Sequence, residues 1–346
     1  MINIAIVGAT GLVGRTFLKV LEERNLSEFN YTLFASKKSA GKTIKFFNKD
    51  YIVEELSETS FDNNRFNFAL FSAGATTSKK FAPLAASQGT VVIDNSSAFR
   101  MDNNVPLVVP EVNSNRIFDN HGIIANPNCS TIQAVVALKP LQEKYGIKRV
   151  LYSTYQAVSG AGKSGIDDFI NTSKGEDAKK FPYKIYNNCI PQIDVFLEND
   201  YTKEEMKMIE ETRKILEIPE LKVSATCVRV PVLNSHSECI DVQLESEFNI
   251  EDVKLLLAKS ESIALLDDPG REIYPLAAFA TEKDEVFVGR VRRDFSVENG
   301  LHLWVVADNI RKGAATNAIQ ILQKLVEKRT WNKTQVLLII IFSLIL

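Results

Sequence analysis

The chain has 346 residues, 45% hydrophobic and 24% charged, a balance that excludes disorder and leaves room for two domains with cores of their own. Its 41 basic and 43 acidic residues give a formal net charge of -2, which excludes the electrostatic footprint of a nucleic-acid-binding protein. Four cysteines, at 129, 189, 227 and 239, are widely spaced with no Cys-x-x-Cys pair, which excludes a zinc ribbon or a disulfide framework, so no metal is assigned and the thiols read as reduced and cytoplasmic.

Met1 runs directly into an apolar strand, Ile2 to Val7, with no signal peptide before it. Gly8, Gly11 and Gly14 follow, and then an amphipathic helix carrying Val13, Phe17, Leu18, Val20 and Leu21. Strand, glycine turn and helix in that order suit a dinucleotide, because the glycines let the backbone approach a pyrophosphate that rests on the helix N-terminus. A plain turn between strand and helix has the same local sequence. The second strand, Tyr31 to Phe34, leads to a loop with Ser36, Lys38 and Ser39 but no acidic residue for a ribose 2′-hydroxyl, which favours NADP over NAD. Strands at Phe68 to Ser72 and Val91 to Asp94 flank a helical stretch from about Ser78 to Ser87, predicting a parallel, doubly wound sheet. The polar loop after Asp94 ends in Arg100, a residue suited to a bidentate grip on phosphate or carboxylate, or to an ordinary surface salt bridge.

The strand Gly122 to Ala125 then meets Asn126-Pro127-Asn128-Cys129-Ser130, where proline ends the extended run and an apolar helix begins at Thr131. Asn128 or Cys129 is its N-cap, and a thiol at a helix N-terminus has a lowered pKa and attacks as thiolate. Taken alone, a buried inert cysteine is the commoner state. From about residue 148 long strands dominate, at 149–158, 222–230, 236–244, 286–293 and 301–307, predicting a mixed or antiparallel sheet covered on one side by helices. A last helix from Ile310 to about Lys328 spaces Ala314, Ala318, Ile321, Leu322 and Leu325 to pack back on the first domain. The run Val336 to Leu346 is apolar but shorter than the roughly 20 residues a membrane helix needs. Membrane contact is not expected from it.

The motifs Gly8 to Gly14, Asp94 to Arg100, Asn126 to Ser130, Gln156 to Gly160 and Arg229 to His236, in this order, resemble those of the aspartate-semialdehyde dehydrogenase family. The resemblance runs from residue 2 to about 328. It implies a Rossmann-type NADP-binding domain at 1–128 with helix 310–328 returning to it, an α+β catalytic and dimerisation domain at 129–309, and an atypical apolar tail at 329–346. It also implies an NADP-dependent, phosphate-dependent oxidoreductase that interconverts L-aspartyl 4-phosphate and L-aspartate 4-semialdehyde, on the route to lysine, threonine and methionine, in a cytoplasmic homodimer. By the same resemblance Cys129 forms the thioacyl-enzyme, His236 is the acid/base and Gln156 holds the acyl group. Arg229 takes the substrate carboxylate, Arg100 and Lys207 the phosphate, and Glu204 the amino group, although Glu204 and Lys207 at i and i+3 also fit an exposed ion pair. Cofactor contacts are expected from Gly8, Thr10, Gly11, Leu12, Val13, Ser36, Lys38, Ser39, Ser159, Gly160 and Asn309. His121 and His302 fall in none of these motifs and are taken as structural.

Two other readings use part of this set. N-acetyl-gamma-glutamyl-phosphate reductase shares the thioacyl chemistry, but its substrate has no free amine for Glu204. A non-catalytic NADP-binding sensor would keep Gly8 to Gly14 with no need for Cys129, Gln156, Arg229 and His236 together.

Overall fold

The computed structural model describes residues 2–329, so the apolar run 336–346 lies outside the described residues. Chain order in the first half is β1 (Asn3–Val7), α1 (Leu12–Glu23), β2 (Asn30–Ala35), β3 (Thr43–Phe46), β4 (Lys49–Ile52), β5 (Glu54–Glu55), β6 (Phe68–Phe71), α2 (Ala75–Ser87), β7 (Val91–Asp94), α3 (Pro110–Asn113) and β8 (Ile123–Ala125). Six of these strands form one sheet, in the order β5-β2-β1-β6-β7-β8, and every pairing in it is parallel. The near-continuous apolar runs of β1 and β6 have that cause, because both faces of the sheet are covered. The β3–β4 hairpin is an addition that the sequence does not advertise. Its two turn residues, Phe47 and Asn48, both take positive φ, the geometry of a tight hairpin written without the usual glycine. Phe46 secures it by stacking edge-on to Tyr31 at 5.0 Å.

The second half runs α4 (Cys129–Tyr145), β9 (Ile147–Gln156), α5 (Lys163–Ser173), α6 (Lys203–Leu216), β10 (Lys222–Arg229), β11 (His236–Leu244), α7 (Ile250–Lys259), β12 (Ile263–Leu265), α8 (Ala277–Ala280), β13 (Val286–Asp294) and β14 (Gly300–Ala307). Its sheet has the order β10-β9-β11-β14-β13-β12 and is mixed, with β9–β10 and β12–β13 parallel and the pairs between them antiparallel. The inner face packs on α4, whose residues from Ser130 to Leu138 are all buried, so this helix shows almost no amphipathic stripe. The outer face keeps Tyr155 exposed, its ring 5.5 Å from that of Trp304. His302 faces Asp241 across the β11–β14 pair on that same side and hydrogen-bonds to it through Nδ1.

The expected last helix opens differently from a plain α-helix. Residues Arg311–Thr316 form a π-helical turn that continues as α-helix through 329. Ala315, Ala318, Ile319, Ile321, Leu322 and Leu325 then join Ile4, Ile6, Phe17 and Leu21 in one buried cluster. The chain therefore ends its described part in the layer where it began. Among the described residues no helix is long and apolar enough to cross a membrane.

Candidate active site

Every strand of the first sheet points its carboxyl end the same way, and β8 delivers Asn126, Pro127 and Asn128 at that edge. Asn128 is the N-cap of α4: its Oδ1 accepts from the N–H groups of Ser130 at 3.0 Å and Thr131 at 3.4 Å. Its Nδ2 donates to Glu204 Oε1 at 2.9 Å, and its own N–H to Glu211 Oε2 at 2.6 Å. One residue thus locks the helix start to α6. Asn126 ties the same turn elsewhere, donating to Asn95 Oδ1 at 2.7 Å and the Ala314 carbonyl at 3.1 Å and accepting from Asn317 at 2.7 Å. Cys129 follows in the first turn and lies against Gly313, where a Cβ would come within 2.8 Å of the cysteine Cβ.

The thiol opens on a cavity of about 690 Å³ whose wall brings together Cys129, Arg100, Gln156, Glu204, Lys207 and Arg229. Leu12 and Val13 reach it from α1, and Ser159, Gly160 and Asn309 from the loops after β9 and β14. Arg100 is not the surface salt bridge that its sequence also allows: it is 8% exposed and donates to Glu211, Asn126 O and Asn95 O. Arg229 is 5% exposed, with one terminal nitrogen on Ala157 O at 2.7 Å and its Nε unpartnered. Glu204 and Lys207 do form an i, i+3 pair, at 3.0 Å, but inside the cavity wall, where Lys207 also holds Asp194 at 3.0 Å. Burial opposes ionisation of Glu204, yet Lys207, Asn128 and Arg229 together hold its carboxyl down at about 2.

Two expectations about ionisation are corrected. The Cys129 thiol is pushed up to about 12, not lowered, because burial and then the Glu204 carboxylate outweigh Arg100, Arg229 and the Ser130 N–H. His236 does not titrate near neutrality. Burial first, then Arg229, lowers it to about 3, against a smaller pull from Glu204. The Ala157 N–H donates to His236 Nδ1 at 2.9 Å, so the single ring proton sits on Nε2, which has no hydrogen-bond partner. His236 lies behind the cavity wall at Gly160, where a Cβ would come within 3.2 Å of Nε2.

The residues at the first turn fit a dinucleotide. Gly8 has φ +88°, a Cβ there would come within 2.3 Å of Ser72 O, and one at Gly14 within 2.1 Å of Gly8 O. Gly11 caps α1 in extended conformation and no side chain takes up the first-turn N–H groups, the arrangement that receives a phosphate. Gly8, Thr10 and Gly11 do not line this cavity, Gly11 being exposed, and Ser36, Lys38 and Ser39 also lie outside it, in a turn at the end of β2. Ser159 and Asn309 hydrogen-bond to each other at 3.1 Å, and Asn309 also accepts the Ser235 N–H at 2.9 Å.

Glu211, Asp194 and Gly313 belong to this site and escape the sequence reading, which reached Asn128 only as a helix cap. Glu211 had a signal: with Glu204 and Lys207 it repeats at i, i+3 and i+7, a charged stripe on the face of α6 that also buries Met208. Asp194 and Gly313 had none, since each acts only through its spatial neighbour.

Residues 3–120 match the family described as semialdehyde dehydrogenase, NAD binding domain, and 138–312 the semialdehyde dehydrogenase dimerisation domain. The aspartate-semialdehyde dehydrogenase of Aquifex aeolicus is 55% identical over 94% of this chain and 98% of the relative. Aspartate semialdehyde dehydrogenase II of Vibrio cholerae, complexed with ASA, is 48% identical with TM-score 0.90, covering 94% and 98% of the two chains. The Candida albicans enzyme with NADP is 28% identical with TM-score 0.74, covering 95% and 99%.

Proposed function

Since the chain belongs to the aspartate-semialdehyde dehydrogenase family, we propose that it interconverts L-aspartyl 4-phosphate and L-aspartate 4-semialdehyde, using NADP and inorganic phosphate. The observation that carries this reading is the set around one cavity: a thiol at a helix start, two buried guanidiniums for two anionic groups, and an ionised Glu204 for an ammonium. That is the charge pattern of the substrate.

In the reductive direction Cys129 Sγ bonds to the acyl carbon as its S–H bond breaks, the bond from that carbon to the phosphate oxygen breaks, and phosphate departs with the electron pair and takes up the thiol proton. Bound NADPH supplies hydride for the resulting thioester. Arg229 holds the substrate carboxylate, Arg100 and Lys207 the phosphate, and Gln156 the acyl oxygen side of the thioacyl group. An ammonium docked on Glu204 cancels the carboxylate's push on the thiol, so substrate binding itself eases release of the Cys129 proton. The His236 Nε2–H is a donor for the acyl oxygen as it takes up negative charge. A second ring proton would have to displace the Ala157 N–H from Nδ1, so this role as donor is assigned in place of free acid/base exchange.

The domain limits 1–128 with 310–328 and 129–309 suit this division of labour, with Gly8, Thr10, Gly11, Leu12 and Val13 under the pyrophosphate and Ser36, Lys38 and Ser39 at the 2′-phosphate. The protein works in the cytoplasm as a homodimer that joins the outer faces of the mixed sheets, feeding lysine, threonine and methionine synthesis. Phosphate-dependent NADP reduction with L-aspartate 4-semialdehyde tests the activity, with N-acetyl-glutamate semialdehyde and NAD as controls. Robust reduction with the first aldehyde and NADP alone is the expected result; silence with both aldehydes while NADP still binds overturns it.

A further inference from the structure

Glu211 is 1% exposed and sits one turn beyond Lys207 on α6, in no direct role of the reaction above. A carboxylate buried this deeply forfeits its hydration, so its two oxygens have to be spoken for. They are divided between two loops. Oε1 takes Arg100 Nη1 at 3.1 Å, and Oε2 takes the Asn128 N–H at 2.6 Å, one residue before the cysteine. Burial raises this carboxyl, and Arg100 and the Asn128 N–H pull it the other way.

Arg100 is held at two further points, Nε on Asn126 O at 2.9 Å and Nη2 on Asn95 O at 3.0 Å. A guanidinium has five N–H groups in one plane. The three contacts fix that plane and leave one N–H on each terminal nitrogen, on a side chain that lines the cavity beside Cys129. A pair of parallel donors is the fork that binds two oxygens of a phosphate. Without Glu211, Nη1 would lose its charged anchor and the Cys129 turn one of its ties to α6.

We infer that Glu211 is a positioning residue that sets the Arg100 fork in register with the Cys129 sulfur, so that the phosphate and the nucleophile meet the same acyl carbon. It acts through Arg100 and Asn128 and touches no reacting atom. The inference rests on the proposed role of Arg100 toward phosphate and goes beyond it in naming what aims that residue.

The test is Glu211→Gln, which keeps the shape and removes the charge. The KM for phosphate is expected to rise about tenfold, the effect of weakening a hydrogen bond to a charged group, while the KM for the aldehyde and the Kd for NADP move less than about twofold. In an Arg100→Lys background the same substitution is expected to change the phosphate KM less than about twofold, because the two act as one unit. An unmoved phosphate KM, full additivity with Arg100→Lys, or a parallel loss of every parameter together with thermal stability overturns the inference. If the Gln variant does not fold, Glu211→Asp, which keeps the charge on a shorter arm, is read by the same criteria. A readout independent of turnover is protection of Cys129 from iodoacetamide by inorganic phosphate. Protection that weakens about tenfold in the variant supports the inference even if the proposed aldehyde is not the substrate, and equal protection, or none in the wild-type chain, overturns it.

Discussion

Cys129 is protonated in the free pocket, and two measurements follow from that. Alkylation of the thiol by iodoacetamide should accelerate continuously from pH 6 to pH 9, since its pKa is pushed up to about 12; a plateau by pH 8 would show a resting thiolate. Cys129→Ala should cost turnover a factor on the order of a thousand or more while NADP binding by titration calorimetry stays unchanged, and a variant with normal turnover would remove the thioacyl route. What the sequence conveyed at this scale was identity and order. The helix-start position of the cysteine is legible in Asn-Pro-Asn before an apolar run, and Asn128 does cap the helix. Its ionisation was not legible, because the carboxylate that opposes it, Glu204, comes from a helix 75 residues away in the chain and the burial comes from the whole wall.

At the scale of elements, the site is a meeting of helix ends and turns. The π-helical turn brings Gly313 so close to Cys129 that Gly313→Ala would force one of the two backbones to shift, the added Cβ coming within 2.8 Å of the Cys129 Cβ and 3.2 Å of its Cα. Its kcat should fall at least about tenfold with thermal stability reduced by about 1–3 kcal/mol, as for other overpacked sites, and a normal kcat would mean that the turn yields freely. A helix over 310–328 is readable from apolar spacing, but a π-turn is not, since one extra residue per turn leaves the apolar pattern downstream intact. The β3–β4 hairpin was invisible for a different reason. Its turn is Phe47-Asn48, and the positive φ of a phenylalanine is a tertiary outcome, fixed by the aromatic cluster with Tyr31, Phe46 and Tyr51. Ten of the fourteen strands among the described residues, and the parallel-then-mixed order of the sheets, were legible from their apolar runs; the short edge strands β5 and β12, like the hairpin, were not.

At the scale of the whole molecule, acid should unfold this protein by known groups. Glu204 and Glu111 are both held at about 2, burial opposing and Lys207 or Lys312 prevailing, against an ordinary 4.5. Their stabilisation is complete above the unfolded value and is lost as pH falls toward the folded one. His236, lowered from 6.5 to about 3, acts with the same sign, since below 6.5 the unfolded chain binds a proton that the folded chain refuses. Burial raises Glu211 and Glu238, which act with the opposite sign above 4.5 by binding protons that the unfolded chain has released, so stability by chemical denaturation should fall chiefly below about 4.5; a profile that stays flat from pH 4.5 down to pH 3 would contradict it. The exposed Tyr155 beside Trp304 gives a handle on assembly: Tyr155→Arg should shift sedimentation from dimer to monomer, and an unchanged dimer would move the interface elsewhere. Finally, the helix that ends the described chain also fixes when the first sheet can be finished. All six of its strands have been synthesised by Ala125, but the core over β1 and α1 waits for Ala315 to Leu325. At ordinary elongation rates that interval is on the order of ten seconds or more, during which a nascent chain carries an apolar layer with no cover of its own. The ribosome-bound intermediate, more than the finished enzyme, is where a chaperone would be needed.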